Sequence, residues 1–367
     1  VRKSIGVIGG GQLARMMIDP ARWLGLEIKV LAETDNSPAQ VAATLVGDYR
    51  DIELVREFAK TVDVVTFDHE HVPLKVLETL EIEGFLFQPS AKALRFAQNK
   101  LDMRARLTEL GIPSPDWAQI NNAQELDEFI ANHQGVAILK TPTGGYDGKG
   151  VRVVRSSADA ADWLVANIPL LVEEKVSFVR ELAQLSARNA DGHWASWPLV
   201  ETIQKNGVCS EVLSPAKDAD FAMAEKIAKT IAEGLDVTGV LAVELFETQD
   251  GRLLVNELAM RPHNSGHFSI EGSQTSQFEQ HVRAALNMQL GSTEATDPYS
   301  VMLNLLGQND QDSFVIEEDL ELGGAFIHTY GKSARLGRKM GHITATSPIS
   351  LEDAREIATR ALNELQA

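Results

Sequence analysis

Over the first hundred residues, short apolar runs alternate with amphipathic stretches. Ser4 to Ile8 is an apolar run of strand length, Gly9-Gly10-Gly11 is a turn, and Gln12 to Leu24 has helical periodicity, interrupted near Pro20. Ile28 to Ala32 is the next strand, Asp51 to Lys60 a helix and Val62 to Phe67 a strand, and Phe85 to Phe87 suggests one more. Such alternation predicts a parallel α/β sheet over roughly residues 1–98. A helix from Asn99 to Leu110 stops at Gly111, with Pro113 and Pro115 beyond it, which marks a boundary. A second α/β region runs to about residue 170, with a strand at Ala137 to Lys140, a glycine-rich loop and a return strand at Val151 to Val154. Leu170 to Val176 opens a third, mostly antiparallel region that continues through Glu181 to Ser186 and Trp194 to Val200. Val301 to Leu306 and Ala325 to Tyr330 follow, then a basic loop and a last helix from Ser350. There is no internal repeat and no low-complexity segment.

At 367 residues the chain is long enough for two or three domains. Its 44% apolar and 23% charged residues are ordinary for a soluble globular protein. No run approaches the ~18 apolar residues of a membrane span, and the N-terminus lacks a signal peptide's layout, so a cytoplasmic location is expected. The single Cys209 excludes an internal disulfide and a thiolate metal cage, and is expected to be a packing residue rather than a nucleophile. A formal charge of -18 argues against nucleic acid or an anionic membrane as partner. A small anionic substrate stays open where positive charge is concentrated locally.

Three segments carry candidate chemistry. In Leu254 to His267, a strand bearing Asn256 and Glu257 breaks into a loop with Arg261, His263, Asn264, Ser265 and His267. Glu244 lies in an earlier strand-like run, and a hairpin turning at Gln249-Asp250-Gly251 would set it across from Glu257, roughly 5 Å away. Two carboxylates that close favour a hard divalent cation between them, although an exposed hairpin face with two solvated glutamates has the same spacing. The second segment is Lys140 to Gly150, whose glycines and two lysines suit a flap around a polyphosphate, but which also fits a mobile hairpin. The third is the basic loop Lys332 to Lys339, a candidate phosphate site or a solvated turn. Gly9-x-Gly11-x-x-Ala14 with Glu33 beyond also fits, weakly, a dinucleotide fingerprint, which keeps a nicotinamide-dependent oxidoreductase as an alternative. His263, His267 and His342 lack the thiolate company of a zinc site and are expected to order loops.

The order of glycine flap, Val172-Glu-Glu-Lys-Val176, Glu181 and two later glutamates resembles ATP-grasp enzymes over essentially the whole chain. Gly-Gly-Tyr-Asp-Gly-Lys-Gly at 144–150, Asn-Glu-Leu-Ala at 256–259, Arg-Pro-His-Asn-Ser-Gly-His at 261–267, Gly9 to Met16 and Gly337 to His342 are similar to the N5-carboxyaminoimidazole ribonucleotide synthetase family. The resemblance implies a Rossmann-like domain over 1–98, a small lid subdomain with the flap over 99–170, and a large subdomain over 171–367 whose β-rich C-terminal part begins near 300. It implies a ligase that joins bicarbonate to 5-aminoimidazole ribonucleotide at the expense of ATP, through carboxyphosphate, in purine biosynthesis. A formate-dependent glycinamide ribonucleotide transformylase is the alternative within the superfamily. ATP would be surrounded by Lys100, Lys140, Gly144, Gly145, Tyr146, Asp147, Gly148, Lys149, Gly150, Glu173, Glu174, Lys175, Val176, Glu181, Gln204, Asn256 and Glu257. Glu244 and Glu257 would hold Mg²⁺. Tyr146, Asp147, Lys149, Asn264 and Lys332 would be catalytic, and Glu70, Asn264, Lys332, Arg338 and Lys339 would bind the ribonucleotide. The family's members are commonly homodimers.

Overall fold

The computed structural model describes residues 2–144, 150–205, 207–307, 319–333 and 335–366. Among the described residues there are three main sheets. The first is parallel, in the order Ala43–Val46, Glu27–Ala32, Ser4–Ile8, Val64–Phe67. Its central strand Ser4–Ile8 is buried at every position, as an apolar run without alternation requires. The short edge strand Ala43–Val46 escaped the sequence pattern because it is brief and half exposed. Phe85 to Phe87 adds no strand; Phe87 makes only an isolated bridge to Val65 and packs into the core. Pro20 does not interrupt the helix Gln12–Trp23. Leu24 N–H still reaches the Pro20 carbonyl at 3.1 Å, while Leu13, Met17 and Ile18 on the buried face meet Phe278 and Val282.

The glycine turn that feeds this helix is filled by the protein itself. The Asp68 carboxylate accepts the Ala14 N–H at 2.8 Å, and a Cβ on Gly11 would come within 2.1 Å of it. Glu33 accepts the Gly10 N–H at 2.9 Å and meets the His69 ring at 2.9 Å. Burial works against the Glu33 carboxylate, but the bonds from His69 and Gly10 hold its pKa down at about 2. The position a pyrophosphate would take at a helix N-terminus is therefore occupied by Asp68, and the ribose-binding acid is committed elsewhere. This overturns the nicotinamide alternative.

The second sheet is small and antiparallel, in the order Trp117–Ile120, Leu170–Glu174, Ala137–Lys140, Val151–Val154. Leu170–Glu174, which the hydrophobic pattern places at the head of the third region, is an interior strand here, paired on both sides. Four of its five residues are buried, and a continuous apolar run does not encode which neighbours it will pair with.

The third sheet has ten strands and joins the middle of the chain to its C-terminal part. Its path runs Leu253–Ala259, Gly239–Thr248, Phe178–Arg188, Val200–Lys205, Val208–Ser214, Tyr299–Leu306, Lys339–Ser347, Ala325–Thr329, Leu320–Leu322, with Trp194–Ser196 beside Phe178–Arg188. The helix Leu351–Gln366 covers Val301, Leu305 and Ile327 on this sheet. One apolar core passes from Ile8 and Phe67 of the parallel sheet to Leu241, Val243 and Leu245 of the large one. His281 joins the same two sheets by polar contacts: its Nδ1 accepts Val240 N–H at 3.0 Å, which leaves Nε2–H to donate to Thr66 Oγ1 at 2.7 Å. No helix among the described residues is long and apolar enough to cross a membrane.

Candidate active site

Where the three sheets converge there is a cavity of about 1150 Å³. Its acidic wall is the hairpin Gly239–Thr248 and Leu253–Ala259. Val243 pairs with Leu258 and Leu245 with Val255, so Glu244 faces two residues, Asn256 and Glu257, across a β-bulge. Simple cross-strand pairing of Glu244 with Glu257 is thus replaced by a two-against-one arrangement. In an unbroken strand Asn256 and Glu257 would point to opposite faces. The bulge re-aims them, and both line the cavity together with Glu244.

Burial first, and then the carboxylates of Glu257 and Glu181, push the Glu244 pKa up to about 7. Its carboxyl lies 3.3 Å from His263 Nε2. Burial, with Arg261 and Lys339 nearby, lowers the His263 pKa to about 3, so the ring is neutral. His263 Nδ1 accepts the Ser265 backbone N–H, which puts the ring proton on Nε2, facing Glu244. Glu257 meets Lys100 Nζ at 3.4 Å. Lys100 opens the helix Lys100–Glu109, whose first turn is capped by the Asn99 side chain. The donor set fits a hard cation: oxygens only, with the proton of one carboxyl held by burial and by its neighbours' charge until the pH nears 7. Among the described residues no group of three or more His, Cys, Asp or Glu could hold a metal. Two carboxylates with the remaining ligands supplied by nucleotide phosphates and water is the manner in which Mg²⁺ is usually held.

Lys140, at the end of its strand, is also buried. Its Nζ lies 2.7 Å from Glu173 and 3.3 Å from Asn256 Oδ1. The other Glu173 oxygen accepts Arg104 Nε, and Arg104 donates to the carbonyls of Val255 at 2.9 Å and Asn256 at 2.8 Å. Burial opposes the Glu173 charge, yet Arg104 and Lys140 hold its pKa below the ordinary value. Glu173 does reach the cavity wall, but both of its oxygens are spent inside the protein. Arg104 was not among the sequence candidates. The available signal was its place between Met103 and Leu107, on a helix face that buries both.

The rest of that wall is a strand end and its linker. Glu174 is tied to Asp116 by two bonds, at 2.8 and 3.0 Å, and Lys175 and Val176 follow it along the cavity. Phe178 stacks on Phe246 with ring centroids 4.6 Å apart, an apolar slab missed in the sequence because each aromatic reads as ordinary strand composition. Glu181 is hydrogen-bonded to Gln204, and burial raises its pKa. Gly144 lines the cavity, and Thr141 N–H bonded to the Gly150 carbonyl at 3.0 Å closes the base of the glycine loop. Gly145, Tyr146, Asp147, Gly148 and Lys149 lie outside the described residues.

The basic loop completes this lining. Lys332, Arg335, Arg338 and Lys339 all line the same cavity. Lys332 Nζ donates to Gln12 Oε1, and Arg338 donates to the Ser333 carbonyl at 2.9 Å. Glu70 accepts Met260 N–H at 3.1 Å and Arg261 Nε at 2.6 Å, so it anchors the end of the hairpin as well as facing the cavity. Burial opposes the Arg261 charge, but Glu70 and Asp68 keep its pKa above the usual value. Asn264 and Asn304 exchange a reciprocal amide pair at 2.9 and 2.8 Å. Cys209 also lines the cavity, but burial pushes its thiol up to about 11, out of the range of a nucleophile. His267 and His342 are fully buried and bond Gln277 and Tyr330.

Comparison with known proteins defines the class first. Residues 105–278 match the ATP-grasp domain, 2–98 the ribonucleotide synthetase preATP-grasp domain, and 300–356 the phosphoribosylaminoimidazole carboxylase C-terminal domain. The chain is 46% identical to N5-carboxyaminoimidazole ribonucleotide synthase of Mycobacterium bovis, covering 92% of this chain and 82% of that protein. It is 44% identical to the Corynebacterium ammoniagenes enzyme of that name, over 93% of this chain and 87% of the other. A crystal structure of the Aspergillus clavatus synthase with ADP and 5-aminoimidazole ribonucleotide superposes with a TM-score of 0.88 at 34% identity, covering 100% of this chain and 99% of that one. The chain belongs to the N5-carboxyaminoimidazole ribonucleotide synthase family, and it is an ATP-grasp ligase.

Two outcomes test this geometry. Arg104→Met leaves the Glu173 carboxylate short of a cation in a buried site and is expected to cost about 3 kcal/mol in denaturant unfolding. The double change Arg104→Met with Glu173→Met should recover a large part of that, whereas additive losses would show that the two groups are uncoupled. The second concerns protons. The folded chain holds the Glu244 proton more tightly than the unfolded chain, so without a cation stability falls as pH rises from about 4.5 to about 7. Binding Mg-ATP should expel that proton, so affinity should climb with pH up to about 7 and then level off. Calorimetry in buffers of different ionisation enthalpy should count the released proton, and Glu244→Gln should abolish its release.

Proposed function

We propose that the chain carboxylates 5-aminoimidazole ribonucleotide with bicarbonate, converting ATP to ADP and phosphate and giving N5-carboxyaminoimidazole ribonucleotide. The observation that carries this is one cavity faced both by the Glu244 and Glu257 carboxylates and by the four cations of the loop at 332–339. An acidic chain that gathers its cations there suits two phosphate-bearing substrates side by side.

A bicarbonate oxygen attacks the γ-phosphorus of ATP, ADP leaves, and carboxyphosphate forms. The ribonucleotide amine then attacks the carboxyl carbon, phosphate leaves, and the amine proton passes to a base. The first step brings anions together. Lys140, oriented by Glu173 and Asn256, and Lys100 offer fixed positive charge where negative charge accumulates. Mg²⁺ held by Glu244 and Glu257 would supply the remaining charge neutralisation. Glu174 to Val176 and the Phe178–Phe246 slab would seat the nucleotide base, with Glu181 and Gln204 near its ribose. The glycine loop would close over the reactants and exclude water, with Asp147 as the base for the amine proton. Arg338 and Lys339 would take the ribose phosphate, and Lys332 and Asn264 would face the aminoimidazole. A cytoplasmic homodimer belongs to the same proposal.

An ADP-release assay with each substrate omitted in turn tests the reaction. ADP release should require both aminoimidazole ribonucleotide and bicarbonate and should ignore formate; formate dependence would sink the proposal. Glu257→Gln should lower kcat by about 10²-fold or more with a smaller change in KM, because metal charge matters most in the transition state. Unchanged turnover would remove Glu257 from the metal site.

A further inference from the structure

At the basic end of the cavity there is a hydrogen-bond conflict. His267, with no solvent exposure, lies between two glutamine amides: its Nδ1 is 2.9 Å from Gln277 Nε2, and its Nε2 is 3.5 Å from Gln12 Nε2. Gln277 cannot turn over, because its Oε1 accepts the His263 backbone N–H at 2.8 Å and its Nε2 donates to the His263 carbonyl at 2.8 Å. Its amino group therefore donates to His267 Nδ1. Burial, reinforced by neighbouring histidines and lysines, keeps the His267 ring neutral, with a pKa well below the ordinary value. A neutral imidazole has one N–H, so here it sits on Nε2. That N–H faces the amino group of Gln12, donor against donor. Gln12 keeps this orientation because its carbonyl oxygen accepts Lys332 Nζ. Gln12 and Lys332 both line the cavity, and Lys332 Nζ lies over the Tyr330 ring, 5.2 Å from its centroid.

We propose that Gln12 is a positioning residue whose amide has two settings: it holds Lys332 in the free enzyme, and turns over when an anionic group of the substrate draws the Lys332 ammonium away. Turning gives the Gln12 carbonyl to His267 Nε2–H and presents the amino group to the incoming substrate. A buried donor unmatched in the free enzyme becomes matched in the complex, so the transfer of Lys332 to the ligand is eased by the protein's own contacts. The inference rests on the proposed reaction in taking aminoimidazole ribonucleotide as the ligand of Lys332. Nothing in the tautomer argument depends on that reaction.

Gln12→Glu offers an acceptor to both Lys332 and His267 and fixes Lys332 in an ion pair. KM for aminoimidazole ribonucleotide should rise by about 10-fold or more, with KM for Mg-ATP essentially unchanged. Gln12→Met, of similar length but with no acceptor, removes only the Gln12 bond to Lys332 and should raise the same KM by less. A merely structural role orders the two variants the other way, since Glu keeps the bond to Lys332 and Met loses it. That reverse order, or an equal rise in both substrates' KM, overturns the proposal. Two-bond ¹H–¹⁵N spectra of the substrate-free protein provide the independent arm, with the His267 signal identified by its loss in His267→Asn. An Nε2–H tautomer is expected, and an Nδ1–H tautomer overturns the proposal whatever the reaction proves to be.

Discussion

A single buried guanidinium holds the site in register. Arg104 comes from the helix Lys100–Glu109, takes one oxygen of Glu173 on the small sheet, and binds two successive carbonyls, Val255 and Asn256, at the edge of the large sheet. Taking a full charge out of water costs several kcal/mol, offset only when every donor finds an acceptor. Here each guanidinium nitrogen finds an acceptor on one of two strands, so neither strand nor the helix that carries Arg104 can shift alone without leaving charge unpaired. The carbonyls that Arg104 holds are those of the bulged strand, and the carboxylate it shares is the one that orients Lys140. The placement of Lys140 and of the strand that carries Asn256 and Glu257 is therefore set by one network.

The bulge is the second constraint. Strand alternation would send Glu257 away from Asn256, and the extra residue brings both to the side of Glu244. Three acidic groups, Glu181, Glu244 and Glu257, then share one cavity, and burial together with the charge of the other two raises the Glu244 pKa to about 7. In the same cavity, Lys332, Arg335, Arg338 and Lys339 concentrate positive charge in a chain of net charge -18.

The parallel domain supports this site in a manner its glycine turn disguises. Asp68 fills the helix N-terminus, Glu33 and His69 occupy the neighbouring turn, and the next residue, Glu70, clamps Met260 and Arg261 at the end of the hairpin that carries Glu244 and Glu257. A turn that elsewhere suits a pyrophosphate serves here to lock a loop whose Glu70 orders the substrate side of the cavity.

Much of the secondary structure was determined by the sequence itself. The strands Ser4–Ile8 and Ala137–Lys140, the helix Lys100–Glu109 with its Asn99 cap, and the Glu244 and Glu257 strands all follow from apolar spacing and from cap and turn residues, which act locally. The motif residues around Glu257 and the basic loop likewise stood out by type and order, and the fold brings both to one cavity. Tertiary structure decided which sheet Leu170–Glu174 joins, that Pro20 stays helical, that Phe87 is core rather than strand, and that Asp68 rather than a cofactor caps the first helix. It also decided the roles of Arg104 and Gln12, whose partners lie 151 and 320 residues away. The reason is the same in each case: periodicity reports that a face is buried, not what buries it, and a polar side chain takes its role from partners that only the folded chain brings within reach.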